Sequence, residues 1–394
     1  MTDKTSTLPS KPPIWNDPKY RAIFFQIILL LGLGFFLYTI VENTLANMRA
    51  RGISTGFAFM KEKAGFDILM SLIPFDSDST YGRTFIVGVL NTLLVTGLGI
   101  IFATILGFIV GVARLSSNWL IRKIATVYIE IFRNIPLLLQ IMFWYFVVLR
   151  AMPSARNSMS LFDSIFLNVR GLYLPAPVPA DGFKYTVIAF VIGLIATFIV
   201  KRWAKKRQEA TGQPFPVFWT ALALIILLPL LVFFITGKPL NWDIPKLQGF
   251  NFQGGMSVIP ELFALLLALT IYTATFIAEI VRSGIEAVSH GQSEAALSLG
   301  LSPGQNLRLV VIPQAMRVII PPLTSQYLNL AKNSSLAMAI GYPDLVAVFM
   351  GTTLNQTGQA VEIVAMTMAF YLTLSLTISL FMNWYNAHMA LVER

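Results

Sequence analysis

The chain has 394 residues, 56% of them hydrophobic and 12% charged, against roughly 25% charged residues in a soluble domain. That leaves too little polar surface to cover a water-soluble globule, so the bilayer takes precedence over any count of domains by length. The net charge of +10 comes without a basic stripe interleaved with aromatics, and cysteine is absent, which argues against nucleic acid as a partner and against a disulfide framework or thiolate metal site.

The N-terminal stretch Met1–Tyr20 is polar and contains proline, with no small-residue cleavage site after an apolar core. The first apolar run is therefore expected to be a retained span and not a signal peptide. Crossing a hydrocarbon core takes about 20 apolar residues as helix. Runs of that kind are Ala22–Val41, Thr84–Val112, Val127–Leu149, Tyr185–Val200, Val217–Ile235, Ile259–Val281, Val318–Lys332 and Val361–Met382. They predict an all-α, polytopic membrane protein of about eight transmembrane helices. The fourth run is short, and Pro321 and Pro322 are expected to interrupt the seventh. Gly107 and Gly111 form a small-xxx-small element, expected to pack helices within the chain. Between the runs, Glu42–Arg83 carries mixed charge, Arg150–Lys184 holds four prolines that disfavour regular helix, and Gly237–Ser257 is polar and Gly-rich. No internal repeat is strong enough to argue a duplicated fold.

Lys201, Arg202, Lys205, Lys206 and Arg207 form the densest basic cluster. Placing it in the cytoplasm puts both termini inside, with about 16 of the 29 basic residues internal and about 11 external.

The segment Glu286–Pro313 reads as helix, turn, helix. Glu294, Ala295 and Ala296 open a helix-compatible run. Gly300 followed by Leu301 fits a left-handed glycine stop with an apolar contact behind it. Ser302 and Pro303 fit the N-cap and first-turn proline of the next helix, and Pro313 marks the return to the membrane. Small residues at Ala295, Ala296 and Ser298 are expected to let a partner's surface approach the backbone.

Glu294-Ala295-Ala296, then Gly300, Val310 and Pro313 at their spacing, resemble the "EAA" loop of ABC importer permeases, with Val310 where the family has Ile. Gly88–Val95, Glu130–Gln140, Tyr272–Gly284 and Lys332–Leu336 are similar to the polar amino-acid uptake subfamily. The extra first span and the insertion resemble its general L-amino-acid permease subunits. The resemblance implies a type I ABC importer transmembrane domain in the bacterial inner membrane. Its implied partners are two copies of an ABC ATPase, a second related permease subunit, a periplasmic amino-acid-binding protein and membrane lipid. On this reading residues 1–83 hold the tail, first span and an external segment. Residues 84–385 form the permease domain, with inserted helices within 150–257 and a coupling loop at 283–317, and 386–394 are a cytoplasmic tail.

Glu130 with Arg133, and Glu279 with Arg282, stand at i,i+3 near inner ends of spans. They are expected either to neutralise each other locally or to form a cross-helix network at the inner gate. Lys332, Asn333, Ser334 and Ser335 fall close to the outer face, where a serine could cap a new short helix in a broken segment. Gln140, Thr275, Asn329 and Lys332 are candidates for the substrate pathway, with Asn333 and Ser334 beside them. No metal or cofactor is expected, since only His290 and His388 offer imidazole. No G-x-x-x-x-G-K-[ST] occurs, so ATP is expected to be hydrolysed by a partner and this chain not to be an enzyme. An ion-driven secondary carrier or a channel is the alternative function.

Overall fold

A computed structural model describes residues 18–389 apart from Arg51, Ile53 and Ser54. The polar leader up to residue 17 and the last five residues of the tail lie outside the described residues. Helix α1 (Pro18–Ala50) stands apart, and Met48 is its one buried side chain among those described. A segment with a short 3-10 turn at Ala58–Lys61 leads into α2 (Tyr81–Arg114), capped by the Thr80 side chain on the Arg83 amide.

The third apolar run is not one straight span. Helix α3 (Trp119–Asn134) and α4 (Leu137–Met142), which continues as a π turn Phe143–Leu149, meet at 103°. Pro136 is the cause: its ring drives Ile135 out of the helical region to φ −96°, ψ 128°. The Gln140 amide folds back across the knee and donates to Phe132 O at 2.8 Å and Ile135 O at 3.0 Å, two acceptors that the end of α3 leaves without helical partners.

The proline-rich segment forms short strands β1 (Met159–Leu161), β2 (Ile165–Asn168), β3 (Gly171–Leu174) and β4 (Ala176–Pro179). An apolar hairpin follows, of α5 (Phe183–Thr211), α6 (Val217–Leu222), a π turn Ala223–Leu227 and α7 (Leu228–Ile235). Strands β5 (Leu240–Asp243), β6 (Lys246–Gln248), β7 (Asn251–Gln253) and β8 (Met256–Val258) then complete an antiparallel layer. Its largest sheet has the order β1-β2-β3-β8, while β4 pairs with β5 from Ala176↔Asp243 to Pro179↔Leu240. The two ends of the helical hairpin thus leave a common β ladder. The hairpin packs mainly on itself, and Gly193 lies against the Leu224 carbonyl. This small β layer sits within a molecule that is predominantly helical, as the sequence predicts.

The centre of the bundle is α8 (Pro260–Glu286), buried on the face formed by Leu262, Leu265, Leu269, Ile277 and Val281. Helix α2 packs along it, and the small-xxx-small pair lies at that contact. A Cβ on Gly107 would fall 2.6 Å from Ile277 Cβ, and one on Gly111 2.8 Å from Ala278 O. Beyond α8 come α9 (His290–Ser298), α10 (Pro303–Asn306), a π turn Leu307–Val311 and α11 (Ile312–Asn333). Pro321 and Pro322 lie inside α11 and do not break it, contrary to the expected interruption; the neighbouring Ile319, Ile320 and Leu323 are packed in the core and hold the helix on course. A 3-10 segment Ser334–Ile340, a π segment Val346–Thr353, α12 (Leu354–Thr357) and α13 (Ala360–Met389) complete the chain.

The β layer and the α9–α10 hairpin attach to opposite ends of α8, whose 27 residues span about 40 Å at 1.5 Å per residue. The bent α3–α4 pair starts five residues after Arg114, beside the α9 end, and reaches the β-layer end, where Tyr145 OH donates to Glu261 at 2.8 Å. Taken as one span, it joins seven helices long and apolar enough to cross a membrane, which gives up to eight candidate spans among the described residues.

Candidate functional site

The α9–α10 hairpin is locked at its turn by two local motifs. Gly300 sits at φ +83°; its N–H donates to Leu297 O at 2.9 Å and the Leu301 N–H reaches Ala296 O at 3.2 Å, the paired bonds of a glycine-terminated helix. Ser302 then forms a reciprocal capping box. Its amide donates to Gln305 Oε1 at 2.9 Å and its hydroxyl accepts from the Gln305 amide at 3.4 Å, with Pro303 in the first turn. The π turn Leu307–Val311 lies just before Pro313; a proline there has no N–H and its ring crowds the Leu309 carbonyl, so the helix widens.

Glu294, Ala295, Ser298, Leu297, Leu299 and Leu309 project outward, Leu299 being 84% exposed. Ala296 is buried, at 5%. It packs within this chain, whereas Ala295 and Ser298 are exposed. The result is a rigid knuckle with an apolar, largely uncharged face at one end of the bundle.

Directly beneath it, α2 and α8 are joined by charge. Arg114, the last residue of α2, forms an ion pair with Glu279 of α8. Glu279 also accepts from Arg282 Nε at 3.0 Å, and Arg282 Nη1 reaches Glu286 at 2.5 Å. Arg114 and Glu279 side chains are each 20% exposed, so solvent screens the network only in part. Four alternating charges thus run from the end of α2 to the residue where α8 stops and the knuckle begins. Gln314 Nε2 contacts Gln292 Oε1 at 3.4 Å, and Arg317 Nε donates to Met389 O at 3.0 Å, tying α11 to α9 and to the end of α13.

The other proposed pair does not form. Glu130 and Arg133 are both exposed, and among the described residues no ion pair joins them. Arg133 instead lies over the Phe276 ring of α8 at 5.8 Å, and the Glu130 carbonyl accepts from Asn134.

The pathway candidates separate into two groups. Gln140 staples the knee, Thr275 is fully buried with its hydroxyl on Tyr272 O at 2.7 Å, and Ser334 is fully buried on Ala331 O at 2.8 Å. Ser334 and Ser335 donate to carbonyls of the preceding turn and cap no new helix, because α11 passes straight into the 3-10 segment. Asn329 and Lys332 are exposed and Asn333 is partly so. Lys332 borders an open groove of about 560 Å³ with Ser335, Met350, Met368 and Tyr371.

Two features escaped sequence reasoning. Arg114 has no charged neighbour in the sequence to signal its role, since its partner Glu279 lies far away in the chain. Asp344 is fully buried in the turn after the 3-10 segment, where its carboxylate accepts from the Ala347 amide at 2.8 Å. Asn91 and Thr92 of α2 clasp that turn: Asn91 Nδ2 donates to Pro343 O at 2.9 Å and Thr92 Oγ1 accepts from the Leu345 amide at 3.0 Å. A carboxylate beside an apolar run is itself a signal, but it falls past the point where the seventh run ends in the sequence.

Residues 189–391 match the family described as binding-protein-dependent transport system inner membrane component. The chain is 57% identical to the general L-amino acid transport system permease protein AapQ of Rhizobium johnstonii, over 96% of this chain and 94% of that protein. It is 55% identical to the putative amino-acid ABC transporter permease protein YhdX of Escherichia coli, over the whole of both. It is 44% identical to the glutamate/glutamine/aspartate/asparagine transport system permease protein BztB of Rhodobacter capsulatus, over 96% of each. With seven to eight candidate spans and a structured knuckle at one end, this chain belongs to the inner-membrane permease components of binding-protein-dependent ABC transporters.

Proposed function

We propose that this chain is the permease subunit of an ATP-driven importer of L-amino acids, coupled to a separate ATPase through Glu294–Pro313. Membership of the family implies an ATPase and a substrate-binding protein as partners. In the finer assignment the ATPase is a homodimer, each copy receiving one knuckle, and a second related permease completes a pseudo-symmetric pair. The knuckle end and both termini face the cytoplasm. The β-layer end faces the periplasm, where a loaded amino-acid-binding protein docks. The names of the three relatives support the substrate class.

The observation that carries the reading is the knuckle: an exposed apolar face whose turn is fixed on both sides and whose stem joins α8 and α11 directly. ATP-driven closure of the ATPase pair moves the two knuckles together. Glu279, Arg282 and Glu286 pass that motion into α8, and Arg114 carries α2 with it, so the cavity between the two permeases changes the side to which it opens. Pro313 lies where the knuckle rejoins α11. Lys332 and Asn329, the exposed candidates, are assigned to the pathway, with the Lys332 ammonium suited to a substrate carboxylate. Gln140, Thr275 and Ser334 support it from within.

Gly300→Asp tests this by placing a Cβ and a charge at a left-handed position. The variant should insert normally yet lose its ATPase on purification of the assembled complex, and amino-acid uptake should cease. Retention of the ATPase with uptake intact overturns the assignment, and uptake persisting after deletion of the ATPase supports a carrier or channel instead.

A further inference from the structure

We propose that the cationic end of α5, Lys201–Arg207, is a binding surface for the phosphate headgroups of anionic phospholipids. The proposal rests on the chain spanning a bilayer and not on how it couples to ATP. Five of these seven residues are basic. Among the described residues the one ion pair they make is Lys205–Glu209, at 3.9 Å with both side chains more than 60% exposed, so the cluster remains strongly positive.

Geometry separates this cluster from a simple orientation signal. At 100° per residue, Lys201, Arg202, Lys205 and Lys206 occupy an arc of about 140° on one side of the helix, and all four are exposed. Ala204, which is 3% exposed and marks the side covered by the hairpin's own chain, falls outside that arc. The stripe therefore points away from the hairpin's partner. The apolar run Tyr185–Val200 gives about 24 Å of helix, no longer than the roughly 30 Å hydrocarbon core. Lys201 and Arg202 consequently emerge at its boundary, with their stems lying along apolar surface. Lys205 and Lys206 lie one turn further on, within the headgroup layer of about 5–8 Å per leaflet. Aromatic rings fix this depth. Arg202 lies over Phe198 at 4.5 Å and Arg207 over Trp203 at 5.4 Å, while exposed Phe218 and Trp219 start the return helix. Tryptophan at this level anchors a helix at the membrane–water interface.

A basic segment directly beyond a spanning helix attracts anionic lipid, and the attraction falls off within a Debye length. Because α5–α7 pack mainly on themselves, the lipid contact also sets how this hairpin sits in the leaflet.

The test uses the assembled complex in bilayers of phosphatidylcholine and phosphatidylglycerol, with trace spin-labelled lipid of either kind to measure the fraction held at the protein. The parent complex should hold phosphatidylglycerol several-fold over phosphatidylcholine, and about 0.5 M salt should weaken that preference. Lys205→Gln/Lys206→Gln/Arg207→Gln keeps Lys201 and Arg202 for orientation and should reduce the preference about two-fold or more. The charge-preserving K205R/K206R/R207K should leave it intact. An unchanged preference in the glutamine variant, or loss in the charge-preserving one, overturns the proposal. So does abolition of the preference by inorganic phosphate at constant ionic strength, which would mark a free-anion site. Co-purification of the ATPase, measured on the same variants, stays at the parent level and keeps this test independent of the coupling assignment.

Discussion

Gly300 is held at φ +83° with open space where a Cβ would stand, so substitution there is limited by backbone strain and not by collision. A non-glycine residue in the left-handed region costs about 1–2 kcal/mol, least for asparagine and most for β-branched side chains. ATPase retention should therefore fall in the order Gly300, Gly300→Asn, Gly300→Ala, Gly300→Val. A valine variant that matches the parent would show that the turn does not need this conformation. The Arg114–Glu279 pair invites a different experiment. Arg114→Gln leaves Glu279 still bound by Arg282, whereas Glu279→Gln strips Arg114 of its carboxylate and leaves Arg282 only Glu286, so the glutamate variant should lose more uptake. A double-mutant cycle on the two positions should give a coupling of about 1–3 kcal/mol; additivity would mean that α2 and α8 are not joined electrostatically. At this scale the knuckle was legible, because Gly300, Ser302 and Pro303 specify their own backbone locally. Arg114 and Asp344 were not, since each acquires its role from a residue or turn distant in the chain.

Between elements, the contact of α2 with α8 depends on Gly107 and Gly111. Gly111→Leu forces a side chain into Val281 and the Ala278 carbonyl. Overpacking of this kind costs about 1–3 kcal/mol; the purified variant should melt at lower temperature than the parent, and an unchanged melting point would place the contact elsewhere. The knee at Pro136 depends on Gln140, whose amide makes two hydrogen bonds across it. Gln140→Leu has a side chain of similar size without those donors and should cost about 1–3 kcal/mol. The apolar runs fall on the long apolar helices of the structure, since composition over some 20 residues is what the bilayer selects. The knee stayed hidden for the same reason: a hydropathy average reads straight through a bend, although Pro136 was in view. Glu130 and Arg133 illustrate the limit of helical spacing, because the ring of Phe276 competes for the guanidinium. The strands, three or four residues each, are too short to carry a periodic signature.

At the scale of the whole chain, the α5–α7 hairpin has its two ends side by side in the β4–β5 ladder. Replacing residues 180–239 with an Asn-Gly turn would close the Pro179↔Leu240 pair as a two-residue hairpin. The shortened chain should still assemble with its ATPase and take up amino acids, while losing its preference for anionic lipid. Failure to transport, in a protein that still assembles, would place the hairpin inside the transport machinery.

Helix α8 carries Glu261 at one end and the Glu279–Glu286 charges at the other, on a single uninterrupted rod of 27 residues. A rod about 40 Å long, tilted by about 5° around its middle, moves its two tips in opposite directions by about 1.7 Å each. An angular change too small to disturb the packing at its middle is thus enough to slide the side chains at either extremity past one another, giving the molecule mechanical advantage without a hinge in the lever itself.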